Sequence, residues 1–270
     1  MDFELQDRTV LITGATGGIG AAVARAYAAE GARVAIGYAS DAEAAGKLAA
    51  ELGAAHDRAF AVRCRIGADA AAGEPAGAAA ADGSADGSAE SAVAAVTERW
   101  GGVDALVVCA MEPGGLRPPT APFESLDPEH WAGFVSANLS HNLRLAQLTL
   151  PHMRRSGWGR IVLVSSVVAR LGKPGREFYG TVKSGLHGFT RSLMWDLRDT
   201  GVLVNLVSPG LTLTPRMAAD LPAARRDEEQ RATPTGRLST PEDVATAVLY
   251  LGSAANRNIT GEELTVAGGR

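Results

Sequence analysis

Apolar residues fall into two rhythms along the chain. Short, β-branched runs at 9–13, 33–37, 58–64, 103–109, 161–164, 201–207 and 263–266 are continuous rather than alternating, which predicts strands buried on both faces. Between them lie longer stretches with helical spacing at 20–30, 41–52, 128–155, 176–199 and 241–251, and one that ends near Trp100. Strands alternating with helices imply parallel βαβ units. The expected fold is α/β, a Rossmann-type doubly wound domain with a seven-stranded, mostly parallel sheet and helices on both faces. No linker or second core interrupts residues 1–270, so the chain reads as one domain.

One stretch breaks the rhythm. Residues 67–90 are Ala, Gly, Ser, Pro and acid, with no Lys or Arg. Such a segment buries too little apolar surface to offset its ordering entropy. It reads as a mobile surface insertion between the third strand and the next helix.

Composition narrows the function. A net charge of −4 leaves no basic footprint for nucleic acid. No apolar run approaches the ~18 residues of a membrane span, and the acidic start Asp2-Phe3-Glu4 lacks a signal-peptide pattern, so a cytoplasmic protein is expected. Cys64 and Cys109 both sit in strand-like runs. They read as buried thiols of a reducing compartment, not as a disulfide or metal set.

Candidate chemistry concentrates after the strand at 161–164. Tyr179 and Lys183 are four apart, on one face of a helix. An ammonium beside a phenol favours the phenolate and tunes a proton donor for an alcohol or carbonyl oxygen. Ser166, at the strand end, can hold the same oxygen. The first strand runs into Thr13-Gly14-Ala15-Thr16-Gly17-Gly18-Ile19-Gly20. Such a turn lets backbone N–H groups and a helix N-terminus meet a pyrophosphate, which favours a dinucleotide. The second strand ends in Gly37-Tyr38-Ala39-Ser40 without a carboxylate for a ribose 2′-hydroxyl, and Asp41 reads as a helix cap. Small polar groups there, with Arg33 or Arg65 as cationic partners, favour NADP(H) over NAD.

Together these residues resemble the short-chain dehydrogenase/reductase family across nearly the whole chain. Thr13 to Gly20 match its cofactor turn, and Asn138, Ser166, Tyr179 and Lys183 match its four active-site residues. Pro209, Gly210 and Thr214 match its motif after the sixth strand. Gly236-Arg237, Pro241 to Ala245, and Ile259-Thr260-Gly261 also match. The resemblance implies cofactor contacts at Gly14, Thr16, Gly17, Gly18, Ile19, Gly20, Tyr38, Ser40, Ala110, Tyr179, Lys183, Pro209, Gly210, Thr212 and Thr214. It further implies that Asn138 anchors a water that refills protons past Lys183. The chain departs from the family pattern at four places. Val108-Cys109-Ala110-Met111 replaces Asn-Asn-Ala-Gly, Arg65 replaces an Asp, Gly17 stands where some NADP-dependent members carry a basic residue, and Ala267 replaces the Asp of Asp-Gly-Gly.

Within the family the likeness is greatest to 3-oxoacyl-[acyl-carrier-protein] reductases and polyketide ketoreductases. Pro113-Gly114-Gly115 falls where some of the latter carry a stereochemical Pro-Gly-Gly, or is a plain turn. Arg154, Arg155 and Arg160 read either as a carrier-protein docking patch or as the charge complement of a helix end. The implied protein is an NADPH-dependent ketoreductase acting on a small-molecule ketone, free or on an acyl carrier protein, and assembled as a homotetramer or homodimer. An alcohol, sugar or steroid dehydrogenase and a non-catalytic dinucleotide-binding scaffold remain as alternatives.

Overall fold

Leu11 and Ile12 are adjacent, both fully buried, and belong to different hydrophobic clusters. Successive side chains of a strand point to opposite faces, so both faces of the sheet are covered. The computed structural model describes residues 2–53, 56–67 and 86–270. Its strands are β1 (Thr9–Thr13), β2 (Arg33–Tyr38), β3 (Ala59–Arg63), β4 (Ala105–Val108), β5 (Gly159–Val164), β6 (Val202–Pro209) and β7 (Glu263–Val266). They form one sheet in the order β3-β2-β1-β4-β5-β6-β7, and every pairing is parallel. The helices are α1 (Gly18–Ala29), α2 (Ala42–Glu51), α3 (Ala89–Trp100), α4 (Ala132–Ser156), α5 (Val168–Leu171), α6 (Glu177–Asp196), α7 (Pro215–Asp220), α8 (Ala223–Arg231) and α9 (Pro241–Leu251).

Helices α1, α2 and α9 cover the face carrying Ile12, Ile36, Val162 and Val207. Helices α3, α4 and α6 cover the face carrying Leu11, Leu106, Ile161, Leu163 and Leu206. Each such side chain contributes about 1.5–3 kcal/mol by leaving water. Local chemistry sets the helix ends. Asp41 caps α2 by accepting from Ala44 N at 2.9 Å, as expected. Thr240 and Asp243 form a capping box at α9, with Pro241 in the first turn. The chain runs outward from the sheet centre in both directions, so the strand order reverses between β1 and β4. In such sheets the crevice for a ligand opens at the carboxyl ends of those two strands.

Several boundaries differ from the sequence reading. Residues 128–130 form a separate 3₁₀ turn, because Trp131 leaves helical geometry (φ −129°, ψ −26°) before α4 begins. The Trp131 ring instead stacks on Phe178 at 5.3 Å and 5°. The segment expected to be an insertion up to residue 90 stops earlier. Gly87 is in the left-handed region (φ 79°), Ser88 caps α3 by accepting from Ser91 N at 3.1 Å, and Ala89 and Glu90 are helical. The bulk of that insertion, 68–85, lies outside the described residues. Helices α5, α7 and α8 were absent from the sequence reading. Among the described residues no helix is long and apolar enough to cross a membrane.

Candidate active site

The turn after β1 is built for close approach. Gly14 takes φ 64°, and a Cβ there would stand 2.9 Å from the Ala110 backbone. A Cβ on Gly20 would reach within 2.2 Å of the Gly14 carbonyl, and one on Gly18 within 2.7 Å of Thr214. The turn is held by Ala15 N donating to Gly37 O at 3.0 Å, and by Thr13 Oγ1 accepting from Ala110 N at 3.3 Å. Gly17 caps α1 without a side chain, so the first-turn N–H groups are left for a ligand. Thr214 caps α7 through Met217 N at 3.2 Å and packs on Gly18, while Thr212 Oγ1 donates to Gly210 O at 3.2 Å. Gly14, Gly18, Ala110 and Thr214, far apart in sequence, therefore share one end of the sheet. The backbone and donor set fit the pyrophosphate of a dinucleotide.

At the end of β2, Tyr38 pairs in register with Arg63, and Arg65 lies two residues further on. Sequence reasoning missed Arg63, although strand register alone would have placed it. Arg33 is excluded as a phosphate partner. It starts β2 at the opposite sheet edge and faces Asp7 at 3.8 Å. Gly37 has no room for a side chain, since a Cβ would stand 2.8 Å from Ile12 O.

Tyr179, Lys183 and Ser166 come together as their spacing suggests. Lys183 is 5% exposed, and its Nζ donates to Val164 O at 2.7 Å, tying α6 to the end of β5. The same Nζ lies 5.8 Å from the Tyr179 ring centroid. Burial pushes the Lys183 ammonium down to about 8. Ser166 Oγ accepts from Val168 N at 3.2 Å, where the chain turns into α5. Ser166 and Tyr179 line a cavity of about 390 Å³, closed on its far side by α7, α8 and Arg270.

Asn138 is fully buried in α4, with both ends of its amide engaged. Oδ1 accepts from Glu112 N at 2.9 Å and Nδ2 donates to Phe134 O at 2.8 Å. Asn142 Nδ2 donates to the Asn138 carbonyl at 2.7 Å. Asn138 thus fastens the segment after β4 to α4. Gly114 (φ 136°) and Gly115 (φ 62°) lie in the same segment, and a Cβ on Gly115 would meet the Phe134 ring at 2.5 Å. The Pro-Gly-Gly turn therefore needs glycine for conformation and for packing.

Two sequence expectations are corrected here. Cys109 is only partly buried, and burial still pushes its thiol up to about 12. Arg154 and Arg160 are not beside Ser166. Both lie at the other end of β5, where Arg160 is 6% exposed with its guanidinium on backbone carbonyls, and Arg154 pairs with Asp196. Neither offers a free surface cation for docking, and Arg154 and Arg155, both in the last turn of α4, fit the other reading, the charge complement of a helix end.

Known proteins are similar to the chain in sequence and in fold. The family model described as short chain dehydrogenase matches residues 8–82, and the one described as Enoyl-(Acyl carrier protein) reductase matches 67–270. A 3-oxoacyl-[acyl-carrier-protein] reductase of Vibrio cholerae is 34% identical, over 98% of this chain and 98% of its own. A cis-4-hydroxycyclohexanecarboxylate dehydrogenase of Sinomonas cyclohexanicum is 35% identical, over 97% of this chain and 96% of its own. The crystal structure of a gluconate 5-dehydrogenase from Burkholderia cenocepacia, in complex with NADP and tartrate, superposes with a TM-score of 0.79 at 28% identity, covering 99% of this chain and 96% of that one. The chain belongs to the short-chain dehydrogenase/reductase family, oxidoreductases that bind a nicotinamide dinucleotide.

Proposed function

We propose that the protein is an NADPH-dependent ketoreductase of 3-oxoacyl or polyketide-type ketones, the whole chain acting as one Rossmann-type domain. The observation that carries this reading is the convergence of Ser166 and Tyr179 on one cavity, with the Lys183 ammonium behind the Tyr179 ring. When bound, the cofactor supplies the hydride. Gly14, Thr16 to Gly20, Ala110, Pro209, Gly210, Thr212 and Thr214 would hold it, with Tyr38, Ser40, Arg63 and Arg65 at its 2′-phosphate.

Tyr179 donates its phenolic proton to the carbonyl oxygen as negative charge develops there, and Ser166 donates a second hydrogen bond to that oxygen. Lys183 stabilises the phenolate that Tyr179 leaves behind. One of its three N–H donors is fixed on Val164 O, which leaves two for the cofactor ribose and the proton path. Asn138, its amide engaged by Glu112 and Phe134, holds the segment after β4 against α4. We propose a cytoplasmic homotetramer or homodimer, which light scattering on the purified protein would test.

NADPH preference is expected to be modest, about one to two powers of ten in kcat/KM or roughly 1.4–2.8 kcal/mol, because Gly17 provides no cation in the turn. Tyr38→Asp sets a carboxylate against the phosphate and swings the ratio towards NADH, whereas Gly37 has no space for the same change. Steady-state kinetics with both cofactors and a panel of 3-oxoacyl thioesters, free ketones and hydroxy acids checks the reading. A parent enzyme that prefers NADH, or that reduces no ketone, would refute it.

A further inference from the structure

The cavity beside Tyr179 is lined by four cationic side chains, Lys173, Arg176, Arg225 and Arg270, and by one acid, Glu229. The two cations on the α8 and C-terminal wall are already paired. Glu229 meets Arg225 at 2.7 Å and also Arg270, and Arg225 meets Glu228 at 2.9 Å. The Arg270 guanidinium, and then Arg225, hold the Glu229 carboxyl below the usual carboxylate range, so its one charge is taken up on that wall.

The opposite wall differs. Among the described residues, neither Lys173 nor Arg176 has a carboxylate within ion-pair distance. The neighbouring Glu177 is turned away to Arg117 at 3.1 Å. Arg176 is half-buried, and its guanidinium lies 5.8 Å from the centroid of the Tyr179 ring. A surplus of positive charge is thus placed beside the proton donor, in a cavity whose lining also includes apolar Val168, Leu171, Leu211, Met217 and Leu238 and the hydroxyls of Ser166, Thr233 and Ser239.

A half-buried guanidinium without a counter-ion forgoes its strongest hydrogen bonds, which a planar carboxylate or phosphate completes in fork geometry. We infer that the substrate carries an anionic oxygen group close to its ketone, and that Arg176, with Lys173 beside it, is the specificity-determining residue that receives it. The inference rests on Tyr179 being the proton donor to that ketone. The group that fits is the carboxylate of a free oxo acid, because the phosphate of a pantetheine arm is held away from the ketone by the length of that arm while Arg176 lies beside Tyr179. A neutral isostere leaves the guanidinium unpaired, the kind of loss on which a polar site discriminates most strongly.

The test is kcat/KM with NADPH for four related substrates: an oxo acid, its methyl ester, its neutral N-acetylcysteamine thioester and its coenzyme A thioester. Wild type, Arg176→Gln and Arg176→Lys are compared. Wild type should favour the acid over its ester by about tenfold or more. A preference for coenzyme A over N-acetylcysteamine with none for acid over ester would place the charge away from the ketone and overturn the inference. Arg176→Gln should draw that ratio towards one, and Arg176→Lys should restore part of it. No charge preference in wild type, or a preference unchanged in Arg176→Gln, overturns the inference. Calorimetric titration of the NADP-loaded protein with succinate and with dimethyl succinate separates this outcome from failure of the ketoreductase reading. If no ketone is reduced but succinate binds and its binding is lost in Arg176→Gln, the anion site stands and the ketoreductase does not. Equal binding of diacid and diester overturns the site.

Discussion

Two buried cations mark the two ends of β5. At the start, Arg160 is 6% exposed and donates to the carbonyls of Gly159, Gly201, Ser253 and Asn256 at 2.8–3.2 Å. At the end, Lys183 is 5% exposed and donates to the single carbonyl of Val164. Burial pushes both down, Arg160 to about 10 and Lys183 to about 8. The cost of burial is similar, and what differs is the number of acceptors supplied. A guanidinium resting on four carbonyls holds chain segments together and has little left to offer a ligand. An ammonium given one carbonyl keeps two donors for chemistry. Burial alone does not separate a structural cation from a working one; unfilled donor capacity does.

The strongest way to break this comparison is to remove the group that Lys183 serves. Tyr179→Phe should lower kcat by about 10²–10⁴ while cofactor binding, read by titration, stays close to wild type. A variant that keeps more than about a tenth of the rate would remove Tyr179 as the proton donor. Next in size is Arg160→Met, which strands the carbonyls that Arg160 satisfies. At about 1–3 kcal/mol per unsatisfied buried group, a loss of roughly 3–5 kcal/mol is expected in urea unfolding, with kcat of the folded fraction nearly unchanged. If Arg160→Met spared stability and lost activity, the two cations would have exchanged roles.

A pH series sharpens the contrast. Lys183 falls from 10.5 in the unfolded chain to about 8 in the folded one. Between those values the unfolded state binds more protons, so stability contributed by this group rises with pH from about 8 to about 10.5, by up to roughly 3 kcal/mol, and the burial penalty is complete below about 8. Lys183→Met should lack that slope in urea unfolding across the window, and a slope equal to wild type would assign it to another group. The smallest effect is expected at Cys109→Ala. With its thiol pushed up to about 12, Cys109 is neutral at pH 8 and supplies Lys183 with no counter-charge. The alkaline midpoint should move by less than about half a unit, a shift worth under roughly 0.7 kcal/mol.

Much of this was legible in the chain itself. Continuous apolar runs such as residues 9–13 mark strands covered on both faces. Four-residue spacing set Tyr179 over Lys183 because one helix carries both. The glycines at 14, 18 and 20 were legible because each fills a place with no room for a Cβ, against backbone at Gly14 and Gly20 and against the Thr214 side chain at Gly18. The remainder depended on distant partners. Arg160 looks like a polar residue at a strand start, and only the carbonyls of Gly201, Ser253 and Asn256 make it a buried one. Helix α8 has no buried residue and so no apolar stripe to read. Residues 128–155 carried one helical pattern, yet Trp131 leaves helical geometry before α4 and its ring stacks on Phe178, a partner distant in sequence. Arg33 was placed at the cofactor because strand content was read without strand direction.

The same division of β5 extends to its optical properties. The chain has four tryptophans. Trp158 lies between the guanidinium groups of Arg8 and Arg160, 4.2 and 4.6 Å from its ring centroid. Trp131 lies flat on Phe178, the residue before Tyr179. Trp195 is 71% exposed, and Trp100 meets Phe60 edge-on at 4.8 Å, away from both ends. A chain keeping only Trp131 would place its fluorophore on Phe178, one residue from Tyr179, where emission is expected to respond when substrate engages Tyr179. A chain keeping only Trp158 would place it against the Arg160 anchor, where emission stays constant through ligand titration and shifts to the red only when the sheet itself opens.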